Sequence, residues 1–145
     1  MTVLATRRRL TIVLIAVAVL IVGAGMAWWA LGRGTTGTSA GLGTRTVQAG
    51  TVEVRMTALT LDATGAVFRV EFTTHTGSVD LDPATASQLR VNDHTVQGAT
   101  WTGSGPGGHH RDGTLRFTTT VPAGAGVELR ITGLPQDTVG TWSAP

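Results

Sequence analysis

The chain contains no cysteine. That excludes disulfides, thiol catalysis, Cys-ligated zinc or iron–sulfur centres, and a lipobox, whose Cys carries the lipid. A fold outside the cytoplasm must then be held by packing alone. Lysine and tyrosine are absent as well, so all eleven basic residues are Arg. Little therefore titrates between neutral pH and the Arg range. A phosphate loop of the GxxxxGK[ST] type is excluded, because there is no Lys to complete it. No acidic residue occurs before Glu53.

The charge that is present is unevenly placed. Residues 1–45 hold five Arg and no acid, whereas residues 46–145 hold six Arg against nine Asp and Glu. The second part is mildly acidic. A nucleic-acid partner wants a basic face against phosphates, so the composition points away from one.

From Leu10 to Gly32 there is no charged residue. As a helix, this run spans roughly 35 Å, enough for a hydrocarbon core of about 30 Å. Arg7, Arg8 and Arg9 precede it. Positive flanks stay on the cytoplasmic side, which predicts the N-terminus inside and the C-terminus outside. Trp28 and Trp29 fall at the far end, where aromatic rings favour the headgroup region. Small residues at Gly25-Met26-Ala27 offer a signal-peptide cleavage site as the rival reading. The apolar run continues through Trp28, Trp29 and Leu31, longer than such a peptide needs, and favours a retained anchor. Gly32 to Thr44 is mostly Gly, Thr and Ser and reads as a flexible tether with a reach of roughly 20 Å. The expected organisation is a basic cytoplasmic tail (1–9), a transmembrane helix (10–32), a linker (33–45) and an extracytoplasmic domain (46–145). The protein is expected in the cell membrane as a single-pass chain.

The domain alternates with period two, the pattern of strands with one buried and one wet face. Phe68, Val70 and Phe72 alternate with Arg69 and Glu71. Leu115, Phe117, Thr119 and Val121 share a face, as do Val127, Leu129 and Ile131. In Thr51 to Asp62 the apolar phase switches between Met56 and Leu59, which predicts a bulge near Thr57 and Ala58. Ala63 to Gly65 predicts a hairpin turn. Further strands are expected at 95–102 and 138–143. Asp82 followed by Pro83 signals one short helix. About seven short strands with Gly and Pro turns predict an all-β, antiparallel β-sandwich.

The strand count and the ending "ELRITGLPQDTVGTWSAP" (Glu128 to Pro145) make residues 46–145 similar to immunoglobulin-like ectodomains of bacterial, actinobacterial-type, single-pass membrane proteins. The resemblance implies a fold and a location. The Cys pair of true immunoglobulin domains is absent, and no functional residue transfers.

The candidate chemistry lies in "GPGGHHRDGTLRF" (Gly105 to Phe117). In a regular strand His109 and His110 point to opposite faces; in a Gly-rich loop they can share a ligand. His110 and Asp112 share a side if the chain is extended. His75 and His94 sit in predicted loops. Imidazole with carboxylate suits copper or zinc. The structural alternative makes Asp112-Gly113 a turn and the histidines loop surface. Asp80, Asp82 and Asp93 could begin a calcium site, but no EF-hand-like series follows. No GxSxG surrounds Ser104, and no spacing selects a catalytic triad, so no catalytic residue and no enzyme activity is expected. Trp101 and Trp142 read as core or sheet-edge packing rather than sugar platforms. Arg69, Glu71, Arg116, Glu128 and Arg130 read as charge pairs on wet faces. The leading expectation is a binding module whose loops, above all Gly103 to Gly113, meet another cell-envelope protein. Metal binding by His109, His110 and Asp112, with His75 or His94, is the alternative.

Overall fold

An apolar row on a strand is buried when a second sheet covers it. The structure, a computed structural model, describes residues 42–145. The transmembrane helix expected at 10–32 lies outside the described residues. Among the described residues, no helix is long and apolar enough to cross a membrane.

Nine strands and one helical turn follow in order: β1 (Thr44–Ala49), β2 (Val52–Asp62), β3 (Gly65–Thr74), α1 (Pro83–Ala86), β4 (Ser87–Val91), β5 (His94–Val96), β6 (Thr100–Gly103), β7 (His110–Phe117), β8 (Gly126–Ile131) and β9 (Thr138–Ser143). One sheet has the order β1-β2-β3-β7-β6 and the other β5-β4-β8-β9. Every pairing is antiparallel. The inward rows of both sheets form one core, with Phe68, Phe72 and Phe117 from the first and Leu89, Leu129 and Ile131 from the second fully buried. The arrangement is β-sandwich-like.

Nine strands replace the seven or so expected, for local reasons. β1 is an edge strand with five of six residues outside the buried class, so it has no alternation to read. β4 directly follows α1, whose capping signal absorbs the start of the strand in a reading by pattern. Asp82 does cap α1, accepting from Ala84 N at 3.0 Å, and Pro83 opens it. The stretch 95–102 is two strands in different sheets, β5 and β6, broken around Gly98 at φ +85°.

The phase switch in β2 is a bulge. Ala58 pairs with Phe68 and Thr60 with Val67, so Leu59 between them has no partner and is 52% exposed. At the end of β2, Asp62 pairs with Gly65 across a two-residue turn. The Asp62 carboxylate accepts from Thr64 Oγ1 at 2.6 Å and from Thr64 N at 2.7 Å. Those bonds favour the charged form and hold its pKa below the ordinary 3.8. A depressed carboxylate stabilises the fold above its unfolded pKa and loses that contribution as pH falls through the folded one. Asp62→Asn is therefore expected to be less stable than wild type at neutral pH. The gap should close as urea titrations are repeated at pH values below 3.8. A constant gap would contradict the turn's role.

The topology sorts the connections to two ends. Ala49 pairs with Val52, Thr74 N donates to His109 O just ahead of β7 at 2.8 Å, and α1 leads into Ser87 opposite Ile131. The β1–β2 turn, the 75–82 segment, the 104–109 loop and the 132–137 loop thus share one end, called the loop end here. The β2–β3 turn, the β4–β5 turn at Asn92-Asp93 and the 118–125 segment lie at the other. β1 begins at Thr44 opposite Thr57, partway along β2, so the chain joins the sandwich from the side away from the loop end.

Candidate functional site

The expected turn at Asp112-Gly113 is strand instead. β7 starts at His110, and Asp112 and Gly113 pair with Glu71 and Val70 of β3. The reason lies on the inward face. Arg111, Gly113, Leu115 and Phe117 are in phase, and the indole of Trp101 on the neighbouring β6 lies across Gly113. A Cβ at Gly113 would stand 2.5 Å from Trp101 Cζ2, and one at Gly103 would stand 2.9 Å from the same atom. Glycine is needed there for close approach, with no turn involved. Gly113→Ala should cost about 1–3 kcal/mol through overpacking, read as a lower urea midpoint. An unchanged midpoint would mean the indole is free to move away.

The loop proper is Ser104 to His109. Ser104 closes it: its Oγ donates to Asp112 O at 3.0 Å and accepts from Asp112 N at 2.9 Å. The 75–82 segment locks onto the other side through Val79 N to Gly108 O at 3.2 Å and Gly107 N to Val79 O at 3.0 Å. Val79 is buried although it lies between strands.

Arg111 is the centre of this arrangement, and pattern reading missed it. The residue is only 3% exposed. Its guanidinium donates through Nε to Ser104 O at 3.0 Å and through Nη1 to Leu81 O. It also lies 5.6 Å from the centre of the Trp101 ring. No carboxylate lies within salt-bridge distance of it among the described residues. The charge is held by carbonyl dipoles and an aromatic face, environments that suit a weakly hydrated guanidinium. One cation therefore ties two loops to the sheet. The available signal was parity, since Arg111 is in phase with Leu115 and Phe117.

The histidines divide by position. His110 opens β7 opposite Thr73, with Nδ1 3.1 Å from Thr73 Oγ1. His109 is one residue ahead in the loop and His75 one residue beyond β3, so these three share the loop end and all are exposed. His94 begins β5, next to the Asn92-Asp93 turn, at the opposite end. His110 and Asp112 do lie on the same outer face, but Asp112 is 3.6 Å from Arg69. Among the described residues, no group of three or more His, Asp or Glu side chains converges as a metal cluster. The three aspartates weighed for calcium separate. Asp82 caps α1, Asp93 pairs with Arg90 at 3.5 Å at the far end, and Asp80 stays at the loop end.

The wet faces carry the expected charge pairs in part. Arg69 reaches Glu71 at 3.3 Å, and Arg130 reaches Glu128 at 3.4 Å. Arg55 joins the first pair at 3.5 Å from Glu71. Arg116 takes no part in an ion pair among the described residues.

A cleft opens at the loop end between the β1–β2 turn, the 75–82 segment and the 132–137 loop. It measures about 290 Å³ and is walled by Val52, Leu81, Leu134 and Pro135, with Ser78 and Asp80 among its polar groups. The 132–137 loop is held close to the turn: a Cβ at Gly50, whose φ is +66°, would stand 2.8 Å from Pro135 Cβ. The site is thus a platform of two interlocked loops, 75–82 and 104–109, beside the 132–137 loop, with one mixed cleft. No family model matches the chain, and no curated protein or solved structure matches it.

Proposed function

We propose that the chain is a membrane-anchored, extracytoplasmic binding module whose loop end meets another cell-envelope protein. The observation that carries this reading is the gathering of three loops, two of them interlocked, at the end away from where the chain joins the sandwich. A domain tethered through its first residues presents that end outward. Loops on a rigid scaffold are the common seat of recognition, and loops already held in one conformation lose less entropy on binding.

The finer fold reading is immunoglobulin-like. With β1 set aside, the orders β2-β3-β7-β6 and β5-β4-β8-β9 correspond to A-B-E-D and C′-C-F-G. The loop end then carries the B–C and F–G connections, which in antibody variable domains contact antigen. The Cys pair, the strand-C Trp and the Tyr corner of antibody domains are absent from this chain. The apolar run and the charge asymmetry of residues 1–45 support the anchor and its orientation.

The cysteine-free chain makes the location simple to test. In intact cells, a membrane-impermeant maleimide should label Pro106→Cys and leave Leu4→Cys unlabelled until the cells are broken. Labelling of neither, or of both, in intact cells would overturn the topology.

A second reading is copper or zinc binding, favoured by the placement of His75, His109 and His110 at adjoining ends of β3 and β7. Titration of the full-length protein with Cu(II) and Zn(II) tests it by NMR of the histidine side chains. Sub-micromolar binding that shifts His109 and His110 together, and is lost in the double His→Ala variant, would establish this reading. Weak or scattered shifts would remove it.

A further inference from the structure

The acidic residues of the described part have almost all been given partners. Six of the nine, Glu53, Glu71, Asp93, Asp112, Glu128 and Asp137, stand within 4.0 Å of an Arg nitrogen. Asp62 and Asp82 accept from backbone N–H groups of their own turns. Asp80 is the exception. Its one bond is from the hydroxyl of Ser78, at 2.5 Å to Oδ2. It has neither a cation nor a backbone donor among the described residues. It also lines the loop-end cleft, whose walls combine the apolar surfaces of Leu81, Leu134, Pro135 and Val52 with the hydroxyl-bearing Thr51, Thr76 and Ser78.

We infer that this cleft takes a basic side chain, Arg or Lys, from a partner polypeptide. The charge complementarity is direct: a carboxylate with no Arg nitrogen within 4.0 Å among the described residues, the neighbouring Arg111 being committed to the carbonyls of Leu81 and Ser104. The shape argument agrees. Long basic side chains have an apolar stem and a charged head, and they lay the stem along apolar surface while the head finds a polar group. A cleft of about 290 Å³ lies at or below the small end of ligand pockets. It suits one side chain better than a larger molecule. The domain's excess of acid over Arg adds a weak long-range attraction of the same sign. This inference rests on the binding-module reading and names the chemistry of its partner.

The test uses a random heptapeptide phage library selected on the full-length protein in detergent. Selected peptides are then mapped by hydrogen exchange. Binders protecting 75–82 and 132–137 should share a basic residue at one fixed position. Their affinity should fall at least tenfold for Asp80→Asn, which keeps an acceptor for Ser78 and removes only charge. Leu134→Ala should weaken the same peptides, and Asp80→Asn should retain the wild-type unfolding midpoint. Binders that protect the loop end but lack a basic residue, or that hold Asp80→Asn as tightly, would overturn the inference and leave the binding reading standing. Binders that protect only the opposite end, or none at all, would overturn both. Calorimetric binding of Ca²⁺ alone that Asp80→Asn abolishes would make this a cation site and overturn the inference too.

Discussion

Arg111→Ala is expected to destabilise the domain by about 3–5 kcal/mol. Two carbonyls in half-buried contacts, Ser104 O and Leu81 O, would lose a charged donor. An acceptor left unbonded where water cannot reach it costs about 1–3 kcal/mol. The vacated volume and the lost contact with the Trp101 face add to that. Ser104 O keeps one donor, Trp101 Nε1 at 3.2 Å, so the effect should be weighted towards the Leu81 side. Arg111→Met separates the terms, since it refills much of the volume and donates nothing. Val79 and Gly107, whose amides bridge the two loops, should exchange at least tenfold faster in Arg111→Met, while amides in β3 and β8 change less. Equal protection of the loop amides in wild type and Arg111→Met would show that the loops do not depend on this cation.

Trp142→Ala should cost about as much, roughly 3–5 kcal/mol, and should act globally. Trp142 is 5% exposed and packs against Phe68 with ring centres 5.2 Å apart. Its Nε1 donates to Gly43 O at 2.9 Å, which fixes the first residues of the described chain to the last strand. Arg45 lies 5.6 Å from its ring centre and donates through Nε to Thr141 O at 2.9 Å. Gly140 leaves room for the indole, because a Cβ there would stand 2.4 Å from Trp142 Cη2. The unfolding midpoint should drop with the denaturant slope little changed, and the exchange of amides in β2, β3 and β8 should rise together. Fraying of β1 alone, with the rest as stable as wild type, would show that Trp142 holds an edge and not the core.

Trp101 and Trp142 are built alike. Each lies over a glycine, donates Nε1 to a backbone carbonyl and carries an Arg on its face. Trp142, on β9, reaches Gly43 just ahead of β1, whereas Trp101 faces the loop end through Arg111. Both arrangements rest on packing and hydrogen bonds, and they meet the demand for packing alone that the missing cysteines impose.

Much of the sandwich was legible because burial writes period two into the chain. β3 and β8 follow their alternation, and the bulge in β2 shows as a shift of phase. β1 left no trace because its residues are mostly wet on both faces. The site was legible only in part. Position 111 reads as surface by residue type and as core by parity, and residue type misleads there because carbonyls and an indole replace water around the guanidinium. Asp112-Gly113 reads as a turn because glycine has two uses, positive φ and close approach, and only the second applies. The His pair was visible at once. That His94 sits at the other end from His75, and that Asp112 is engaged by Arg69, depend on strand order, which one chain's pattern does not encode.

Recognition at the loop end is open to site-specific photocrosslinking in the native membrane. A photoreactive residue is placed in turn at Ser78, Pro106 and Gln136 of the loop end and at Ala63, Asp93 and Ala123 of the opposite end. One discrete adduct is expected from the first three positions, absent from the second three and lost in Arg111→Met, where the folded chain no longer holds its loops together. Adducts of equal yield from both ends, or adducts confined to the opposite end, would contradict it.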